Sequence, residues 1–123
     1  VAIKFPNQIV EFNQLASSGM LALALFYYWF INIAEVRLLV IDEFDAFYHN
    51  KLSEKFVRLL IESDCQVILT THNTSVMTNE LMRPDCYFRI NGNGITSLAN
   101  ATDIEIREAH NLEKIYRSGW FDE

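Results

Sequence analysis

Four apolar residues that run directly into two adjacent carboxylates, Leu38-Leu39-Val40-Ile41-Asp42-Glu43, constrain this chain more than any other stretch. The segment Val36 to Ile41 reads as a buried strand, the kind that helices cover on both faces of a parallel sheet. Ending it in Asp-Glu delivers negative charge to the edge of that sheet. Such a pair suits a divalent cation and a water, whereas the same string taken alone also fits a strand that has met solvent.

The flanking segments favour the first alternative. Upstream, Ala16-Ser17-Ser18-Gly19-Met20 opens a helix predicted from Ser17 through about Ile33, with serine at its cap. It is apolar nearly all round and is expected to be buried on more than one face. Downstream, Gln66-Val67-Ile68-Leu69-Thr70-Thr71-His72-Asn73 forms a second apolar strand, ending in a histidine 29 residues after Glu43. Between the strands, Leu52 to Glu62 carries apolar residues at 52, 56, 57, 59, 60 and 61 with charges between them, as an amphipathic crossover helix would.

The rest of the chain is punctuated more simply. Pro6-Asn7 interrupts the start, and Gln8 to Leu15 fits a short helix or an extended lead-in equally well. Thr74 to Met82 is predicted as a short helix stopped before Pro84. Cys86 to Ile90 and Ile95 to Leu98 flank Asn91-Gly92-Asn93-Gly94, a hairpin signal because asparagine and glycine tolerate positive φ. Asp103 to Glu113 reads as a solvated helix, with His110 in it. Strand, helix, strand, helix, hairpin is an α/β order, predicting a mostly parallel sheet with helices on both faces and a C-terminal β-hairpin.

Composition narrows the function classes. The 123 residues are half hydrophobic, enough for one domain and not for a second. Ten basic against sixteen acidic residues give a net charge of −6 without a basic run, which argues against a direct nucleic-acid surface. The longest apolar run, Met20 to Ile31, is twelve residues, short of the roughly 20 that a membrane span needs. No basic stretch followed by an apolar one opens these residues, so a secretory signal is not expected. Cys65 and Cys86 lack metal-ligand spacing and are expected to be core thiols in a reducing cytoplasm, although their number alone would allow a disulfide. The chain opens on Val1-Ala2-Ile3-Lys4-Phe5 without an initiator methionine, as expected of a piece of a longer protein.

Taken together, the serine-serine-glycine helix start, the strand ending in Asp42-Glu43 and the strand ending in His72 resemble the second half of an ATP-binding-cassette type ATPase domain, a partial P-loop NTPase fold. They correspond to its signature motif, its Walker B strand with the catalytic glutamate, and its switch histidine. Ala16-Ser17-Ser18-Gly19-Met20 departs from the transporter pattern Leu-Ser-Gly-Gly-Gln and is closer to the serine-serine-glycine variant of the Old-like and abortive-infection AAA ATPases. Asn111-Leu112-Glu113-Lys114-Ile115-Tyr116-Arg117-Ser118-Gly119 is similar to the closing segment of the Old-like group. The resemblance covers about residues 15–120.

By this resemblance Asp42 is the magnesium-side carboxylate and Glu43 orients or deprotonates the attacking water. His72 is the switch histidine, whose imidazole hydrogen-bonds a phosphate. Ser17, Ser18 and Gly19 contact the phosphate of ATP bound to the other subunit of a homodimer, a role that suits unsatisfied N–H groups at a helix start but is otherwise that of an ordinary serine cap. Phe44-Asp45-Ala46-Phe47-Tyr48-His49 stands in the D-loop position, with Asp45 and His49 as interface candidates and Asn50 where the Old-like group carries proline. The implied cofactors are ATP and Mg2+, the implied setting a cytoplasmic bacterial defence or nucleic-acid-related protein that touches nucleic acid only indirectly.

The phosphate-cradling pattern GxxxxGK[ST] does not occur in these residues, whose glycines are Gly19, Gly92, Gly94 and Gly119. These residues alone are therefore expected to bind ATP weakly and to be inactive, their unpaired strand edge to be covered by dimerisation, by swapping or by their own hairpin. Two other functions stay open: a non-catalytic interaction module of the same fold, and a metal-dependent nuclease or phosphatase using Asp42, Glu43 and His72.

Overall fold

The structure, a computed structural model of the chain, describes residues 2–4, 6–92, 94–103, 106 and 110–121. Its centre is the predicted strand–helix–strand unit. Strand β3 (Leu38–Ile41) and strand β4 (Gln66–Leu69) pair in parallel, Leu38 opposite Gln66 and Ile41 opposite Leu69, joined by the crossover helix Asn50–Ile61. That helix buries Ser53, Phe56, Val57 and Leu60, one face spaced three or four residues apart.

The strand pair buries one face only. Along both strands, half-buried residues alternate with exposed ones, so Ile41 and Leu69 pack against the core while Leu38, Val40 and Ile68 face outward. The expectation of helices on both faces is thus corrected. So is that of a mostly parallel sheet: the described strands form three separate two-stranded sheets, of which one is parallel. The second is a hairpin of β1 (Ala2–Lys4) and β2 (Ile9–Glu11), which the sequence left unread; helix α1 (Phe12–Leu15) follows it directly. The third is the predicted hairpin, β5 (Phe88–Asn91) with β6 (Gly94–Ser97), where Gly94 takes φ +134°. It pairs with itself and does not cover the edge of β4.

Helix α2 (Ser18–Ile31) forms where predicted but is not buried. Leu21, Leu25, Tyr27, Tyr28, Trp29 and Ile31 are all exposed, Tyr27 by 63%. Its anchor is Phe26, whose ring stacks on Phe56 of the crossover helix, designated α3, at 4.0 Å between centroids. A helix that is apolar all round needs neighbours on every side, and among the described residues only this one side has them.

Phe44, Phe56, Val57 and Val76 form one buried cluster; Tyr87, Leu98, Leu112 and Phe121 form another, and Met82 packs against both. The second cluster is closed by α4 (Leu112–Arg117), capped by Asn111, whose Oδ1 accepts from Lys114 N at 2.8 Å, and ended by Gly119 at φ +82°. Leu112 is buried, so this end of the predicted solvated helix is not solvated; residues 104, 105 and 107–109 of that prediction lie outside the described residues. His110 is half-buried, and its carbonyl accepts from Asn79 Nδ2 at 2.9 Å. The predicted helix Thr74 to Met82 is a single 3-10 turn, Thr74–Val76, followed by turns. There the Asn73 side chain accepts from Ser75 N and diverts the backbone at its start. Both cysteines are free, Cys86 exposed and Cys65 half-buried, so neither is the core thiol expected.

Candidate functional site

Parallel pairing sets the ends of β3 and β4 side by side. The residues that follow each strand, Asp42 to Asp45 on one side and Thr70 to His72 on the other, therefore form one surface. Hydrogen bonds continue the ladder beyond the strands: Thr70 N donates to Ile41 O at 3.0 Å, and Phe44 N to Thr70 O at 3.1 Å.

The Thr70 side chain lies inside this seam. Its hydroxyl donates to Asp42 Oδ1 and accepts from Glu43 N at 2.8 Å. Thr71 repeats the arrangement one residue on, donating to Asp45 Oδ1 at 2.7 Å and accepting from Asn73 N at 2.8 Å. Neither threonine was singled out from sequence. The available signal was a pair of hydroxyls between an apolar strand and a histidine, in register with a strand ending in carboxylates.

Glu43 has φ +46°, a left-handed conformation unusual for a residue with an unbranched charged side chain. The turn brings its Oε1 to 3.6 Å from His72 Nε2. Both side chains are largely exposed, at 60% and 93%, so the pair adds little to stability. Two predicted site residues nevertheless meet at an open surface beside Asp42, which is itself exposed.

Asp45 is buried, 9% exposed, and holds its loop from inside through Thr71; its Oδ2 is buried without a partner among the described residues. His49 is exposed and occupies the cap position of α3, its carbonyl accepting from Leu52 N at 2.8 Å and Ser53 N at 3.0 Å. Asn50 accepts from Asn73 Nδ2 at 3.0 Å, tying the start of α3 to the His72 loop. Below the same loop, Tyr48 packs edge-on against Phe56 at 4.7 Å, and burial raises its phenol pKa.

At the start of α2, Ser17 is the cap, its Oγ accepting from Met20 N at 3.3 Å, and Ser18 is exposed. A Cβ on Gly19 would come within 3.3 Å of Phe47 O, so glycine permits this helix start to lie against the 44–49 loop. Behind His72, Thr74 Oγ1 donates to Glu113 Oε1 and accepts from Arg117 Nε, both at 3.1 Å, and Arg117 pairs with Glu113 at 2.9 Å. The closing helix α4 is thereby fastened to the loop that carries His72.

The described residues contain no cluster of three histidine, cysteine or acidic side chains able to enclose a metal. That fits a cation held jointly with phosphate oxygens and water, which takes one or two carboxylates from the protein. Asp42 fits such a role, since one oxygen is fixed by Thr70 and the other has no partner among the described residues.

A strand–helix–strand unit with adjacent carboxylates at one strand end and a histidine at the next fits an ATPase-type domain of the AAA and P-loop class. The chain belongs to the family described as "AAA domain, putative AbiEii toxin, Type IV TA system", whose model matches residues 7–78. That span includes Ser17 to Gly19, Asp42 to His49 and His72. No characterised protein and no solved structure matches the chain. Among the described residues, no helix is long and apolar enough to cross a membrane.

Proposed function

We propose that residues 1–123 are the C-terminal part of one ATP-binding-cassette type, Old-like ATPase domain, cytoplasmic, which hydrolyses ATP when two copies associate. The observation that carries this reading is the convergence of Glu43 and His72, 3.6 Å apart, beside an Asp42 held by Thr70. Asp42 would hold Mg2+ bound to ATP, and the ion would offset charge on the phosphate oxygens. Glu43 accepts the proton of a water as its oxygen bonds the γ-phosphorus and the bond to the leaving ADP oxygen breaks. His72 donates toward the γ-phosphate. Ser17, Ser18 and Gly19 offer hydroxyl and N–H donors to the nucleotide of the facing copy, and His49, exposed where Asp45 is buried, is the interface candidate of the 44–49 loop. Family membership supports a setting in abortive infection or toxin–antitoxin defence, with nucleic acid reached only indirectly.

Glu43→Gln in the complete protein that carries these residues tests the assignment. It keeps the shape and removes the base, so turnover falls about 10²–10⁴-fold while ATP and the dimer accumulate. Unchanged turnover would refute it. A second reading, a non-catalytic interaction module, is favoured by the exposed apolar surface of α2. It predicts no turnover in the unaltered protein and no change of assembly with ATP.

A further inference from the structure

The seam between the two strand ends contains a residue that the proposed reaction does not use directly. We propose that Thr70 is a positioning residue that fixes the metal-side carboxylate and the water-side glutamate together. This rests on the reading of Asp42 as the carboxylate that meets the metal.

A threonine hydroxyl has one proton to give. Here it is given to Asp42 Oδ1, while the oxygen accepts from Glu43 N. The backbone of the same residue donates to Ile41 O and accepts from Phe44 N. Thr70 thus bonds to four consecutive residues, 41 to 44, which include both functional carboxylates. Two consequences follow. One Asp42 oxygen is committed, which limits rotation of the carboxylate and leaves the other to face outward. The Glu43 amide is held in the left-handed turn that carries its carboxylate to His72; without the hydroxyl this amide loses its acceptor and a strained turn loses its tie. Groups that orient a metal-binding side chain typically change metal affinity by about 10–100-fold when removed. Thr71 supports Asp45 in the same way but touches neither Asp42 nor Glu43.

Thr70→Val keeps the side-chain shape and deletes the hydroxyl; Thr70→Ser keeps the hydroxyl and deletes the methyl. In the complete protein, binding of Mn2+ with ATP is read by electron paramagnetic resonance, alongside ATP binding in EDTA and thermal melting. We expect Thr70→Val to weaken Mn2+ binding at least about tenfold with ATP binding in EDTA unchanged, and Thr70→Ser to restore it to within about threefold. If Thr70→Val does not fold, Thr70→Cys, with a similar volume and a weak donor, takes its place under the same expectation. Mn2+ affinity unchanged in the hydroxyl-deleted variant, or a Thr70→Ser variant as weak as it, would overturn the proposal. Asp42→Asn separates the two levels: if it too leaves Mn2+ affinity unchanged, the reading of Asp42 fails and the positioning role with it.

Discussion

Phe56 is the buried ring that joins α2 to α3 and to the 44–49 loop, and replacing it with alanine gives a quantitative test of the packing. It is 4% exposed, stacked on Phe26 at 4.0 Å and met edge-on by Tyr48 at 4.7 Å. Phe→Ala changes in cores cost about 3–5 kcal/mol. Both ring partners lose their contact, which places this one near about 4 kcal/mol. The surplus from which that is drawn is small: a folded monomer of 14.3 kDa exposes about 6,800 Å², and this chain exposes 9324 Å². With total stability then near the low end of about 5–15 kcal/mol, most of it is lost. Urea unfolding followed by circular dichroism should show a midpoint lowered by about 2 M or more, taking a slope near 1.5–2 kcal/mol/M. Phe56→Leu, which keeps apolar volume, should cost less than half as much. Because Phe26 ties α2 to α3 through this ring, the Phe56→Ala variant should also lose the docking of Gly19 against Phe47 before global unfolding. A midpoint shift under about 0.5 M would refute the claim that this cluster holds the unit together.

Two further outcomes concern single groups. Burial raises the Tyr87 phenol pKa, its hydroxyl lying 2.9 Å from both Val76 O and Thr78 O and accepting from Thr78 N at 3.2 Å. A raised folded pKa means its contribution is complete below the ordinary value of about 10 and is lost as pH rises through the folded value. Stability should therefore fall in that alkaline window for the unaltered chain, with the Tyr87 share of the fall absent in Tyr87→Phe, itself about 1–3 kcal/mol less stable at neutral pH. At Glu43, φ +46° is a conformation asparagine adopts more readily; Glu43→Asn should raise the unfolding free energy by about 0.5–1 kcal/mol and, on the proposed reading of Glu43 as the base, abolish ATP turnover in the complete protein.

The parts of the fold readable from sequence are those set by local chemistry. Ser17 caps a helix, alternating apolar and charged residues from Leu52 make α3, and the Asn-Gly repeat makes the β5–β6 hairpin. Asp42, Glu43 and His72 stand near one another because a parallel pair with a crossover returns the second strand end to the first. What could not be read is what non-local packing decides. Apolar sequence in α2 states a need for burial without stating what meets it, and only Phe26 finds a stacking partner across on α3. Thr70 and Thr71 look like ordinary strand-end residues until register sets them opposite acids 28 and 26 positions earlier. Asp45, weighed as an interface or surface-loop residue, lies inside for the same reason.

Register also explains how an exposed sheet can carry an ordered site. The outer faces of β3 and β4 leave Leu38, Val40 and Ile68 bare, yet the carboxylates at the strand ends are fixed by bonds that run between the strands, not across their faces. Packing on the inner side, through Ile41, Leu69, Phe44 and Phe56, holds the two strands at constant separation. The hydroxyls of Thr70 and Thr71 then convert that separation into fixed positions for Asp42, Glu43 and Asp45. Changes to the bare face should therefore alter what the chain adheres to, while changes to the inner face or to the threonines alter where the carboxylates stand. Each surface of the strand pair has a different task, and the site belongs to the seam between them.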